Sequence, residues 1–123
     1  MAKSRTEILK EHLKEFKSSS ADVQASAVVS TDGLIIASEL PQDVEEDRVA
    51  AMSAAMLSLG ERTSKELMKG SLEQVFVKGQ DGYILLMGAG EDAVLTALAK
   101  KDAKLGLVFL DMKRTAEKIS EVI

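Results

Sequence analysis

The sequence predicts an α+β domain of the order α-ββ-α-βββ-α, in which a five-stranded antiparallel sheet carries helices on both faces. Two Asp-Gly pairs, Asp32-Gly33 and Asp81-Gly82, lie between apolar runs, which is a strong short-range signal for a β-hairpin. Around these hairpins, apolar residues recur with helical spacing in three further segments. At 123 residues the chain is long enough for one core and too short for two, so we expect a single domain over residues 1–123.

The composition argues against several classes of function. The formal net charge is −4 and aromatic residues make up 3% of the chain, so neither a basic field nor stacking platforms favour nucleic acid. Cysteine is absent, which excludes disulfides and thiolate metal sites and fits a reducing compartment. No apolar run approaches the ~20 residues needed to span a bilayer. We therefore expect a cytoplasmic protein without a membrane-inserted segment.

The N-terminal third predicts one helix followed by a hairpin. The capping box Ser4-x-x-Glu7 opens the helix, which we expect to end at about residue 16 or 17. Strands are predicted over Gln24–Thr31 and Leu34–Glu39. The Asp32-Gly33 pair between them predicts a type I′ turn, with φ > 0 at both central positions.

A long alanine-rich helix is predicted from about Val44 to Lys69. Asp43 is the expected N-cap, and Gly70 is well placed at C′. The segment is apolar on more than one face, and a domain of this size rarely hides two apolar helix faces by itself. The excess therefore indicates a surface that meets other proteins.

The remainder of the chain predicts three strands and a last helix. The strands are expected over Ser71–Gly79, Tyr83–Met87 and Val94–Ala99. The helix is expected to be capped by Asp102 and to run to the C-terminus with one apolar face. This order of elements implies one antiparallel sheet between two helical layers.

The central helix separates into three faces. We expect the large apolar residues to pack on the sheet, in a stripe of Val49, Met52, Met56, Leu59, Thr63 and Leu67. Small residues permit close helix approach, so a second face is interpreted as the contact with another copy of the chain, the alternative being cover by the protein's own loops. That face carries Ala50, Ser53, Ala54, Leu57, Ser64 and Met68. The outer face is either merely solvated or docks a partner, through Asp47, Ala51, Ser58, Arg62 and Lys65.

The motifs TDGLIIAS, DGYILLMGAGEDAVLTALA and LGLVFLDMKRTAEKI resemble the Roadblock family of dynein light-chain-like proteins, in particular its prokaryotic MglB-like members. The resemblance extends from about Ser20 to Ile119. It implies a Roadblock/profilin-like fold and a homodimer whose third strands pair edge to edge, with the two central helices side by side. On the third strand it implies dimer contacts at Leu72, Gln74 and Phe76.

The resemblance also implies a Ras-like small GTPase as the partner. Such relatives act as GTPase-activating partners by reshaping the switch regions of the GTPase, and they insert no catalytic residue. Whether this chain activates the GTPase or only scaffolds it stays open. The alternative is a structural light chain or adaptor that binds a segment of a motor or a membrane-anchored complex. The resemblance argues against an arginine finger at Arg62.

No residue pattern indicates catalysis or a cofactor. Gly88-x-Gly90 invites comparison with a phosphate loop, but Ala93 stands at the third glycine position and no Lys-Ser/Thr ending follows. His12 is the only histidine and lies among charged residues of the first helix. We therefore expect no catalytic, cofactor-binding or metal-binding residue.

Overall fold

The computed structural model describes residues 2–123 and contains three helices and five strands. In chain order they are α1 (Arg5–Ser19), β1 (Val23–Ser30), β2 (Ile35–Glu39), α2 (Glu46–Glu66), β3 (Val75–Gly79), β4 (Gly82–Gly88), β5 (Ala93–Lys100) and α3 (Leu105–Val122). The strands form one sheet in the order β2-β1-β5-β4-β3, and every pair is antiparallel. The predicted fold class and element order are confirmed.

The sheet separates two helical layers. On one face α1 packs over β1 and β2, while α3 packs over β5 and β4. The larger hydrophobic core lies between these two helices and the sheet, and its fully buried large side chains include Leu9, Leu13, Phe16, Met112 and Ile119. On the other face α2 lies alone across the sheet. The strand β3 forms one edge and β2 forms the other.

Local signals at the N-terminus are confirmed, whereas the first turn differs from the predicted type. The Ser4 hydroxyl accepts a hydrogen bond from the Glu7 N–H at 3.2 Å, as the capping box predicts. Between β1 and β2 only Gly33 has a positive φ, of +88°. The Ser30 N–H donates to the Leu34 carbonyl, so residues 31–33 form a three-residue loop in place of a two-residue type I′ turn.

Three predicted helix caps are wrong. The N-cap of α2 is Glu45 and not Asp43, and its side chain makes no capping hydrogen bond. At the other end, Met68 takes the left-handed conformation with φ +61°, two residues before the predicted Gly70. The Lys69 N–H bonds the Ser64 carbonyl and the Met68 N–H bonds the Lys65 carbonyl, which is the Schellman pattern with a non-glycine residue at C′.

The third wrong cap is Asp102, because α3 begins after Lys104 and receives its capping carboxylate from a distant part of the chain. Asp22, in the turn between α1 and β1, accepts a hydrogen bond from the Lys104 N–H at 2.9 Å. Its other oxygen lies 3.2 Å from Nζ of Lys100. The Lys104 N–H and then the Lys100 ammonium hold the pKa of the Asp22 carboxyl below its ordinary value of 3.8. One carboxylate therefore joins α1, β5 and α3.

We expect Asp22→Asn to lower the melting temperature at neutral pH. The folded-state pKa of Asp22 is lowered, so its contribution to stability is present above the unfolded value and is lost as pH falls through the folded value. The difference in melting temperature should stay constant from about pH 5.5 to 8 and shrink below about pH 4. A calorimetric difference that does not narrow in acid would contradict this role for the ionised carboxylate.

Gly82 begins β4 at a φ of +152°, and a Cβ built on it would lie 2.4 Å from the carbonyl oxygen of Ala99. Because that neighbour is backbone, Gly82→Ala should destabilise the protein by about 2 kcal/mol or more. Gly106 is the matched control, since a Cβ there meets no atom within 4 Å. Gly106→Ala should leave stability unchanged or raise it by up to about 1 kcal/mol. Urea denaturation of both variants measures the contrast.

Candidate functional site

The face of α2 that packs on the sheet is formed by two small residues and one leucine. Ala50, Ser53 and Leu57 are 0%, 2% and 8% exposed. The Thr96 hydroxyl of β5 donates to the Ser53 hydroxyl at 2.8 Å beneath the helix. Ala50 belongs to a cluster with residues of β1, and Leu57 packs with Leu86. The assignment of Ala50, Ser53 and Leu57 to the dimer contact is therefore wrong, because these side chains lie in the protein's own core.

The physical reason is the short distance between helix and sheet. A Cβ at Gly60 would lie 2.7 Å from Cγ2 of Val75, so glycine is needed where α2 passes the start of β3. Small residues let the helix come this close, and larger side chains must then lie at its flanks. The observed core face of α2 is therefore displaced by one residue, or about 100° around the helix, from the stripe of large apolar residues that was expected to face the sheet.

The stripe expected to pack on the sheet is instead largely uncovered. Met52, Leu59 and Leu67 are 58%, 66% and 67% exposed, while Val49 and Met56 are half-buried. Their positions follow helical spacing along the side of α2 that faces the β3 edge. The sequence-based conclusion that α2 carries more apolar surface than the domain can bury is confirmed, although the surface is a different one.

The other residues of the predicted dimer contact lie in different environments. Ala54 is partly covered by the β1–β2 loop, since a Cβ on Gly33 would lie 3.7 Å from the Ala54 Cβ. The Ser64 hydroxyl donates to the Gly70 carbonyl at 2.8 Å and so holds the loop after α2. Met68 is 90% exposed. Leu72 and Gln74 lie before β3 and not on it, because the strand begins at Val75. Leu72 is half-buried, whereas Gln74 and Phe76 of β3 are exposed.

Two apolar grooves lie between α2 and the β3 edge. The first, of about 430 Å³, is walled by Val49, Met52 and Met56, and its floor is formed by Val77, Ile84 and Leu98. The second, of about 410 Å³, continues along α2 past Leu59 to Ser64 and shares Met56 and Val77 with the first. We call the surface formed by Met52, Met56, Leu59 and Val77 the seam stripe. Val77 was missed in the sequence, although the alternation in Ser71–Gly79 could have placed it on one face with Val75.

The predicted docking residues share one exposed face of α2. Asp47, Ala51, Ser58, Arg62 and Lys65 are all exposed. At 100° per residue they lie on the side away from the seam stripe. The Arg62 Nε lies 3.0 Å from the Glu66 carboxylate, an exposed i,i+4 pair that stabilises the helix only slightly. Both surfaces of α2 are thus accessible at the same time.

The residues considered for catalysis or cofactor binding do not come together in one site. Within residues 2–123 no group of three or more His, Cys, Asp and Glu side chains is placed to hold a metal ion. Gly88 and Gly90 flank the turn from β4 to antiparallel β5, which is the predicted hairpin and not a strand-to-helix phosphate loop. In the same described part of the chain, none of the helices has the length and apolar character needed to cross a membrane.

Comparisons with known proteins agree with this geometry. The family model of the Roadblock/LC7 domain matches residues 8–99. Three uncharacterized proteins of Methanocaldococcus jannaschii are 42–43% identical over 97 residues, covering 79% of this chain and 81–84% of theirs.

Solved structures share the fold at low sequence identity. The gliding protein MglB of Thermus thermophilus gives a TM-score of 0.86 at 21% identity, over 99% of this chain and 93% of that one. MglB in a tetrameric arrangement gives 0.87 at 21% identity, over 99% and 92%. Profilin II of Acanthamoeba castellanii gives 0.63 at 13% identity, over 96% and 98%. At these identities the likeness establishes the architecture.

The placement of α2 predicts that substitutions at two leucines have very different costs in stability. Leu57→Ala should lower the free energy of unfolding by about 2–4 kcal/mol, because it leaves a cavity above the sheet. Leu67→Ala is the matched control and should cost less than about 0.5 kcal/mol, since Leu67 is 67% exposed. Equal denaturation midpoints for the two variants would show that Leu57 does not face the sheet.

Proposed function

Because the chain belongs to the Roadblock/LC7 family, we propose that it works as a homodimeric interaction module of the cytoplasm that regulates or scaffolds a Ras-like small GTPase. Two copies of the single domain would pair through their β3 edges and seam stripes and so form a larger, composite surface. The paired α2 helices would then dock the GTPase. The observation that carries the proposal is an uncovered edge strand lying directly beside an uncovered apolar stripe.

The edge strand supports pairing between copies. Four of the five residues of β3 are exposed, including Phe76 at 48% and Val77 at 44%. An exposed apolar edge presents unpaired N–H and C=O groups that another strand can satisfy. At the opposite edge β2 is only partly exposed, because α1 packs against it. The two edges are therefore unequal, which favours β3 as the joint.

The seam stripe supports the same pairing from the α2 side. Antiparallel pairing of two β3 strands extends the sheet and brings the second α2 next to the first across the joint. Exposed Met52 and Leu59 then find an apolar partner, and the two grooves beside Val77 are closed to water. MglB, which shares this fold, has been solved in a tetrameric arrangement, and this is consistent with self-association of such a domain.

Docking of the GTPase would use the remaining exposed face of α2. In a dimer this face is presented twice, beside the seam, with Arg62 and Lys65 in each copy. The module supplies no catalytic group of its own in this proposal. It can shift the GTPase between two states only by binding one of them more tightly, since equal affinity shifts no equilibrium. It can speed hydrolysis only by binding the transition state more tightly than the GTP-bound ground state. Equal affinity for both states would make it a scaffold.

Replacing Leu59 tests the dimer. Leu59→Glu should weaken self-association by about 100-fold or more without unfolding the chain, because it places an unpaired carboxylate in each half of the seam. Ser58→Glu is the matched control, since it adds the same charge on the neighbouring exposed position outside the seam stripe. Sedimentation equilibrium measures both. A wild-type chain that stays monomeric at about 100 μM, a concentration at which weak protein complexes form, would refute the proposed dimer.

Nucleotide turnover tests the partner. With a Ras-like GTPase encoded in the same genome, the wild-type protein should raise single-turnover GTP hydrolysis, and the double charge reversal R62E/K65E should abolish the effect by preventing docking. Arg62→Ala alone should reduce it by less than about tenfold, since an arginine finger would account for roughly 10³–10⁵. Binding of both nucleotide states with unchanged hydrolysis would identify a scaffold, and absence of binding would refute the GTPase proposal.

A further inference from the structure

All sulfur atoms of the chain are methionine thioethers, and two of them belong to the seam stripe. The chain has six methionines and no cysteine. Met52 and Met56 lie one helical turn apart on α2, on the flank that faces β3. Because the chain offers no thiolate to an oxidant such as peroxide, its thioethers are the side chains that such an oxidant converts first.

Both of these side chains can be reached by a small oxidant in the separate chain. Met52 is 58% exposed. Met56 is half-buried, but it lines both apolar grooves, whose volumes are about 430 and 410 Å³. Hydrogen peroxide is only slightly larger than water, which occupies roughly 30 Å³ in the liquid. The grooves therefore admit peroxide to Met56 as long as no second copy closes them.

The other methionines within residues 2–123 lie outside the seam stripe. Met112 of α3 is fully buried, and Met87 of β4 is half-buried against the same core. Met68 is 90% exposed after the last turn of α2 and lines neither groove. It reports how fast an exposed thioether of this chain is oxidised away from the stripe.

Oxidation would make the seam stripe polar. Methionine sulfoxide carries an S=O group that accepts hydrogen bonds, whereas the thioether is apolar. The other two residues of the stripe, Leu59 and Val77, have no polar side chain to donate such a bond. In the separate chain water satisfies the sulfoxide, but a second copy packed on the stripe would remove that water.

The grooves beside the stripe offer few free donors to a sulfoxide. Beneath the first groove the Thr96 hydroxyl is already bonded to Ser53, and in the second the Thr63 and Ser64 hydroxyls donate to backbone carbonyls. The lining residues Arg48 and Gln74 have donors, but both are exposed to water.

These exposed donors are as well hydrated in the separate chain as a sulfoxide would be. Enclosing the sulfoxide in a dimer then exchanges its bonds with water for no better partner. The oxidised stripe therefore favours the separate chain.

We propose that Met52 and Met56 form a reversible oxidation site that controls self-association: peroxide converts them to sulfoxides in the separate chain, and the sulfoxides keep the seam from closing. The sulfur lone pair attacks one peroxide oxygen, the O–O bond breaks, and the second oxygen leaves as water with both hydrogens. Each sulfur loses two electrons. A thiol reductant returns them through methionine sulfoxide reductases, with release of water and formation of a disulfide between the two thiols.

The inference rests on the proposed homodimer, because only a closed seam gives the sulfoxides an effect. The same closed seam keeps peroxide away from the two thioethers, so a chain is oxidised while it is apart and protected while it is paired. The response then depends on protein concentration as well as on the oxidant.

Peroxide treatment followed by peptide mass spectrometry and sedimentation equilibrium tests the site. Oxidation of the wild-type chain should weaken self-association by about tenfold or more, with an unchanged far-ultraviolet circular dichroism spectrum. Methionine sulfoxide reductases for both sulfoxide epimers, supplied with dithiothreitol, should restore it. Met52 should be oxidised several-fold faster in the Leu59→Glu variant than in the wild-type dimer, while Met68 should react at the same rate in both.

Leucine variants locate the effect. M52L/M56L conserves side-chain volume and cannot be oxidised at the stripe, so it should remain a dimer after the same treatment. Met68→Leu is the matched control and should lose association on oxidation as the wild type does. An untreated wild-type monomer refutes the dimer and the oxidation site together. An untreated dimer refutes the oxidation site alone if treatment leaves its association unchanged, unfolds it, or weakens M52L/M56L as much as the wild type.

Discussion

The close contact between α2 and the sheet is the constraint on which the other features depend. Ala50 and Ser53 have small side chains, and Gly60 has none where the helix passes Val75. The Ser53 and Thr96 hydroxyls satisfy one another at 2.8 Å, so two polar groups are buried without being left unpaired. An unpaired buried hydroxyl would cost about 1–3 kcal/mol. Proximity and hydrogen bonding thus fix the rotation of the helix about its own axis.

The rotation of α2 about its axis determines which of its residues are exposed on the surface. With small residues below, Met52, Met56 and Leu59 must lie on the flank towards β3, and the polar residues must lie on the opposite flank. The same helix passes the start of β3 at Gly60 and Val75, while apolar grooves stay open between α2 and Val77 further along the strand. On the reverse face α1 packs over β2 and β1 and α3 packs over β5 and β4, so β3 meets α3 only at its flank, where Phe76 contacts Phe109. The strand β3 is therefore exposed at its edge and only partly covered on its two faces.

The sequence was sufficient for the order of elements but not for contacts between distant residues. Periodicity and turn residues predicted every helix and strand, because these are local properties. The cap of α3 was missed because its partner, Asp22, lies 82 residues earlier in the chain. The sequence predicts the wrong face of α2 against the sheet, because hydrophobicity indicates which residues avoid water but not how close the helix lies to the sheet. The small residues Ala50 and Ser53 were the available signal, and they were interpreted as a contact with another copy.

In the proposed dimer, β3 contributes side chains to both faces of the sheet, so the geometries of the two faces depend on each other. Alternate residues of β3 serve opposite faces, Val77 beside α2 and Phe76 beside α3. An antiparallel pairing that keeps each face apolar can shift only in steps of two residues, or about 6.8 Å. Each step would move the second α2 and the second α3 together, because both helices pack on the same sheet. An occupant that fits one register on one face therefore selects the geometry of the other face, which is a physical route for coupling the two surfaces.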